Sequence, residues 1–133
     1  IVHPDLLTSG GLMETKRIAD DAEDEGIPTA LHCAGSPIGF MANIHTAAAI
    51  SSFLACEHHG LDLPFWESLV TGMAPDYMAD GYVTVPEQPG LGVDLNLEAI
   101  EANLRTPGTM FLPTEEWNTP KVAFWRPDDR WPE

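Results

Sequence analysis

"IPTALHCAGSPIGFMANIHTAAAISSFLACE", residues 27–57, decides the fold. "PTALH", 28–32, is a short apolar run that ends on a histidine and meets a loop of Ala, Gly, Ser and Pro, which predicts a strand running into a turn. "GFMANIHTAAAISS", 39–52, is rich in Ala and carries no acid, Lys or Arg. That composition predicts a helix covered over most of its surface. "FLACE", 53–57, is a second short apolar run, this one ending on an acid. Strand, helix and strand joined by short links form the pattern of a parallel βαβ unit.

The same alternation extends upstream. "IVHPDL", 1–6, reads as a buried strand entering the loop "LTSGG". Residues 11–26 read as a helix, with Leu12, Ile18, Ala19 and Ala22 on an apolar side. Glu14, Lys16, Arg17, Asp20, Asp21 and Asp24 form the wet side. Gly26 suits the C-terminal stop, and Pro28 cannot continue the helix. Downstream the pattern changes. Residues 58–76 are irregular, with a short helix expected near Trp66. Residues 80–96 alternate apolar and polar around Pro86, Pro89, Gly90 and Gly92, which predicts two short strands or arms about a turn. Residues 95–104 predict a helix capped by Asn96. From Arg105 onward lie five of the twelve prolines and three of the four tryptophans, Trp117, Trp125 and Trp131. This segment is expected to be extended and docked through its aromatic side chains.

A chain of 133 residues with 44% apolar side chains has material for one ordinary domain. No apolar run approaches the ~20 residues of a membrane helix. Two cysteines, Cys33 and Cys56, make no disulfide framework, so reduced thiols and a cytoplasmic location are expected. Six basic residues against 21 acidic ones give a net charge of −15. Nucleic acid and anionic membrane are therefore excluded as partners. Self-repulsion of that size is relieved by salt, so salt adaptation is expected, with solubility as the alternative use of the charge. The chain opens without Met on what reads as a strand end, as the tail of something longer would.

Three ionisable residues, Asp5, His32 and Glu57, end the three candidate strands. In a parallel βα array the carboxyl ends of the strands share one face, where ligands bind and chemistry is done. His3 stands two residues before Asp5, so alternation points both the same way. His45 falls in the apolar helix and reads as a structural side chain. His58 and His59 follow Glu57 at a spacing that fits no standard zinc pattern. One of them is free to face the same rim. Cys33 directly follows His32, so the two side chains diverge and do not form a nucleophile–base pair. Cys56 reads as a small buried residue.

"HPDLLTSGGLMETKRIADDAEDEGIPTALH", 3–32, resembles the sixth and seventh βα units of the enolase superfamily, in its mandelate racemase branch. Asp5 with "SGG", His32 in "ALHCAGSPIG" and Glu57 in "FLACEHHG" match the residues that end its sixth, seventh and eighth strands. "DGYVTVPEQPGLGVDLN", 80–96, resembles its closing segment. The resemblance implies an α/β fold: the C-terminal portion of a TIM-type (β/α) barrel over 1–79, a closing β-arm and helix over 80–104, and an extended tail over 105–133.

By the same resemblance, His32 is the acid/base that removes the proton α to a carboxylate or protonates a departing hydroxyl. An imidazole suits either direction near neutral pH. Asp5 fixes its tautomer, and Glu57 donates a hydrogen bond to the enediolate. The family implies Mg²⁺, but its ligands lie on the third to fifth strands, and nothing here corresponds to those. The implied substrate is a small carboxylate, with "CAGSPIG" and "EHH" looking most like acid-sugar dehydratases of the galactonate type. A racemase or epimerase of a 2-hydroxy acid, or an inactive association module, are the alternatives. The absent barrel units imply no turnover by the chain alone. They also imply association with another copy or with the missing N-terminal part.

Overall fold

The computed structural model describes residues 1–111; the expectations for Trp117, Trp125 and Trp131 fall outside these. The centre of the fold is a small parallel sheet. Strand β1, Thr29–Leu31, lies in the middle, paired on one side with β2, Phe53–Cys56. On its other side runs the segment expected as a full strand over 1–6, reduced here to two parallel bridges, Val2 to Thr29 and Asp5 to His32. Pro4 explains part of that reduction, because it offers no N–H to the ladder. The backbone bonds Ala30 N–H to Val2 O and His32 N–H to Pro4 O, both 3.0 Å, still fix the register.

Two helices pack on this sheet. Helix α1, Leu12–Asp24, buries Thr15, Ala19 and Ala22 and leaves its acidic side wet. Arg17 pairs with Glu14 at 3.1 Å, and Lys16 pairs with Asp20. Gly26, at φ 69°, ends the helix as its lack of a Cβ allows. Helix α2, Pro37–Ala48, starts two residues earlier and ends four residues earlier than composition suggested. Its start is set by Ser36, whose side chain accepts from Gly39 N–H, with Pro37 in the first turn. Phe40, Met41, Ala42, Asn43 and Ile44 are all buried, so the expected covered helix is present.

The core has two parts. Ala19, Leu31 and Ile50 join α1 to β1. Cys33, Phe40, Met41, Ile44, Trp66 and Tyr77 join α2 to the irregular segment that follows β2. That segment contains two single 3₁₀ turns, Gly60–Asp62 and Glu67–Leu69, flanking Trp66. Trp66 is buried, and its indole N–H donates to Gly35 O at 3.0 Å.

Residues 80–96 do not form one two-armed ribbon. The first arm, β5 (Tyr82–Val83), pairs backward with β4 (Met78–Ala79) around Asp80 and Gly81. Both turn residues have positive φ, 51° and 80°, the backbone an Asp-Gly hairpin turn requires. The second arm, β6 (Asp94–Leu95), pairs instead with β3 (Val70–Thr71). Helix α3, Leu97–Ala102, is capped by the Asn96 side chain as expected, over a shorter span.

Strand β2 has no partner on its outer side among the described residues. Phe53 and Leu54 are 39% and 56% exposed there. They line an apolar groove of about 620 Å³ together with Phe40, Ile44, Tyr82 and Val83. Among the described residues no helix is long and apolar enough to cross a membrane.

Candidate active site

Because β1 is flanked in parallel register on both sides, the residues that end the strands form a row. Asp5 is bridged to His32, and Glu57 N–H donates to Leu31 O at 3.0 Å. The three residues singled out from the sequence therefore emerge together at one end of the sheet.

His32 Nδ1 lies 2.7 Å from Asp5 Oδ2. The carboxylate is itself anchored, since Asp5 Oδ1 accepts from Leu7 N–H at 2.8 Å. A carboxylate can only accept, so in the neutral ring Nδ1 carries the proton and Nε2 presents its lone pair. That free nitrogen stands 3.6 Å from Glu57 Oε2. Glu57 Oε2 also accepts from Cys33 N–H at 3.3 Å, a contact that ties the acid to the turn after β1. His32 is 39% exposed, so the ring is held from below and open from above.

Two further imidazoles reach the same carboxylate oxygen. His3 Nε2 is 3.7 Å and His59 Nε2 is 3.6 Å from Glu57 Oε2. The His3 and His32 rings meet edge to face at 5.7 Å, and the His32 and His59 rings lie 6.4 Å apart. Alternation pointed to His3, and one of the adjacent pair His58 and His59 was free to face the rim. The structure gives that place to His59 and turns His58 inward. A loop of unpredictable conformation hid which of the two it would be. His45 remains in α2, half-buried and away from the rim.

The two thiols lie beneath the row. Cys33 is buried and Cys56 is half-buried rather than fully covered. The Cys56 thiol donates to Glu57 O at 3.4 Å; the neighbouring thiol lowers the pKa of Cys33, and that neighbour together with burial raises that of Cys56. His32 and Cys33 point to opposite faces, as adjacent extended residues must.

The donors do not assemble a metal centre. Asp5 and Glu57 are engaged by imidazoles and backbone N–H groups. Among the described residues no group of three His, Cys, Asp or Glu is placed to hold a metal ion. The Mg²⁺ implied by the resemblance does not fit this set. One carboxylate holds the imidazole through Nδ1, and a second stands 3.6 Å from its free nitrogen.

A family model described as "Enolase C-terminal domain-like" matches residues 1–100. The chain is 45% identical over 111 residues to a D-xylonate dehydratase of Haloferax volcanii, covering 84% of this chain and 26% of that protein. It is 36% identical over 123 residues to RspA of Pantoea ananatis, a D-galactonate dehydratase family member, covering 89% of this chain and 28% of that protein. Among solved structures, a mandelate racemase/muconate lactonizing enzyme-like protein from Rubrobacter xylanophilus superposes with a TM-score of 0.68 at 43% identity. That match covers 74% of this chain and 25% of the other. The chain thus spans about a quarter of the length of these relatives.

Proposed function

The chain belongs to the Enolase C-terminal domain-like family, the barrel part of mandelate racemase/muconate lactonizing enzyme-like proteins, and from that premise we propose that it carries the acid/base row of a sugar-acid dehydratase. The observation that carries this reading is the His32–Asp5 pair at 2.7 Å with Glu57 facing the free imidazole nitrogen. The names of the relatives, D-xylonate dehydratase and a D-galactonate dehydratase family member, support the substrate class.

In this reading the substrate carboxylate and its α-carbon lie over the row. His32 Nε2 takes the α-proton to give an enediolate, and loss of the β-hydroxyl gives an enol that ketonises to a 2-keto-3-deoxy acid. His32, protonated on Nε2 and paired with Asp5, delivers the proton that lets hydroxide leave as water. Asp5 favours the imidazolium that precedes that step. Glu57 hydrogen-bonds the enediolate oxygen. No residue of this row is proposed as a ligand of the Mg²⁺ that the family implies, and its donors are assigned to chain outside the described residues. The same holds for the partner. The bare flank of β2 and its groove are proposed to receive the remaining barrel strands, from a further segment or a second chain.

A second reading, racemisation or epimerisation of a 2-hydroxy acid, draws on His3 and His59. Either places a further imidazole on the rim, and proton transfer on two faces needs two bases.

The test is to assemble the chain with the complementary barrel and capping segments of a D-xylonate dehydratase, add Mg²⁺, and screen sugar acids. The expected result is a 2-keto-3-deoxy product that falls by about 10²–10⁴-fold in His32→Asn. Dehydration that survives His32→Asn overturns the assignment. Exchange of the α-proton in D₂O without dehydration selects the second reading.

A further inference from the structure

We propose that His58 is a positioning residue, an uncharged imidazole strut that braces the chain after β2 through Tyr77 and so aims Glu57 and His59 at the rim. The inference rests on reading that rim as the working site, but its physical basis is separate.

The hydrogen bonds around His58 leave each proton one place. Gly60 N–H donates to His58 Nδ1 at 3.2 Å, so Nδ1 is an acceptor and the ring proton sits on Nε2. His58 Nε2 lies 2.9 Å from Tyr77 Oη and therefore donates to it. The tyrosine has a single hydroxyl proton, which it gives to Glu67 Oε1 at 3.3 Å. The relay runs in one direction, from the loop after β2 to the 3₁₀ turn at Glu67–Leu69.

The ring is also caged. It stacks on Phe40 at 4.1 Å and 28°, and meets Trp66 at 4.8 Å. Burial in that cage lowers the pKa of His58 below the ordinary histidine value of 6.5, opposed by the charge of Glu67 and assisted by His59. Among the described residues Glu67, His59 and the Tyr77 hydroxyl are the titratable groups that face it, and α2 contributes the uncharged Phe40. Protonation would place a second N–H on Nδ1, directed at the Gly60 N–H. Two donors cannot share that position, so protonation breaks the Gly60 bond and loosens the ring from its aromatic contacts.

His58 sits between Glu57 and His59 in the chain. With the middle side chain fixed inward, the outer two project to the rim, where both reach the same region as His32. Loosening of His58 drags both neighbours with it. Glu57 would then lose its contact with Cys33 N–H. Neither Tyr77 nor Glu67 touches the rim, so the effect on it is transmitted.

The experiment is nitrogen-15 NMR of the imidazoles in the 133-residue chain, across an acid titration, with Tyr77→Phe and His58→Phe alongside. Tyr77→Phe keeps the cage and removes the relay. His58→Phe fills the cage and removes every hydrogen bond. In the wild type the expected result is a neutral His58 protonated on Nε2, titrating below the ordinary histidine value. The Cys33 amide and the His32 ring signals should move in step with it. In both variants those reporter signals should be displaced at neutral pH. A proton on Nδ1, an ordinary titration, or reporter signals unmoved in both variants overturns the proposal. The dehydration assay stands apart from this readout. Its failure with the coupling intact removes the proposed reaction and leaves the strut, and the converse removes the strut alone.

Discussion

Asp5 Oδ2 and His32 Nδ1 sit 2.7 Å apart across a parallel bridge, so the strands themselves set the direction of the imidazole. Asp5→Asn can turn an amide N–H toward Nδ1 and force the ring proton to Nε2. In the assembled enzyme this should lower dehydration by about 10²-fold or more with the secondary structure intact. Steady-state rates and the imidazole nitrogen shifts check it. An unchanged rate with a switched tautomer would remove Asp5 from the chemistry.

Gly60 is covered by the Trp66 indole, and a Cβ there would fall inside the van der Waals surface of its Cδ2 and Cε2 atoms. Gly60→Ala should therefore destabilise the fold by about 1–3 kcal/mol through overpacking. Urea unfolding measures this, with Gly81→Ala as a comparison where strain of the φ 80° backbone acts without any clash. A wild-type midpoint for Gly60→Ala would mean that the indole does not pack there.

The lowered pKa of His58 has a definite sign in stability. The unfolded chain takes up the proton near 6.5 and the folded chain only below that. The contribution is complete above 6.5 and is lost as pH falls toward the folded value. Melting temperature should decline through that acid window, and the decline should be smaller in His58→Phe. An equal decline in both would assign the acid sensitivity to the carboxylates.

The neighbouring Cys56 thiol lowers the pKa of Cys33 below the ordinary thiol value. Cys56→Ala removes that neighbour, and the Cys33 titration should move upward. The far-ultraviolet absorbance of the thiolate follows it directly. A curve that does not shift would mean that Cys56 gives its proton only to Glu57 O, 3.4 Å away.

A net charge of −15 repels itself at low ionic strength. Melting temperature should rise between dilute buffer and molar KCl. No rise would leave solubility as the role of the acidic surface.

The sheet and its row were legible because they depend on local signals. Apolar runs that end at Asp5, His32 and Glu57 flank helices with recognisable stops, and parallel pairing aligns whatever ends the runs. The chain after β2 was less legible. Its short strands pair across distance, β3 with β6, and no period within residues 80–96 announces that the two arms part company. Ser36 and Pro37 carry the start of α2, since a serine before a proline is a cap signal, whereas the Ala-rich composition of residues 39–52 marks no boundary of its own. The inward turn of His58 had no sequence signal. It follows from an aromatic cage assembled by Phe40, Trp66 and Tyr77, which lie up to 37 positions apart in the chain.

The uncovered flank of β2 puts Phe53 and Leu54 beside a row of backbone groups that the described residues leave unclaimed. Such a flank is a template on which molecules can stack edge to edge, and a net charge of −15 opposes that stacking. Ions that quiet the repulsion within one molecule quiet it between molecules as well. The same rise in ionic strength that firms the fold should therefore, past some concentration, drive the chains to cluster.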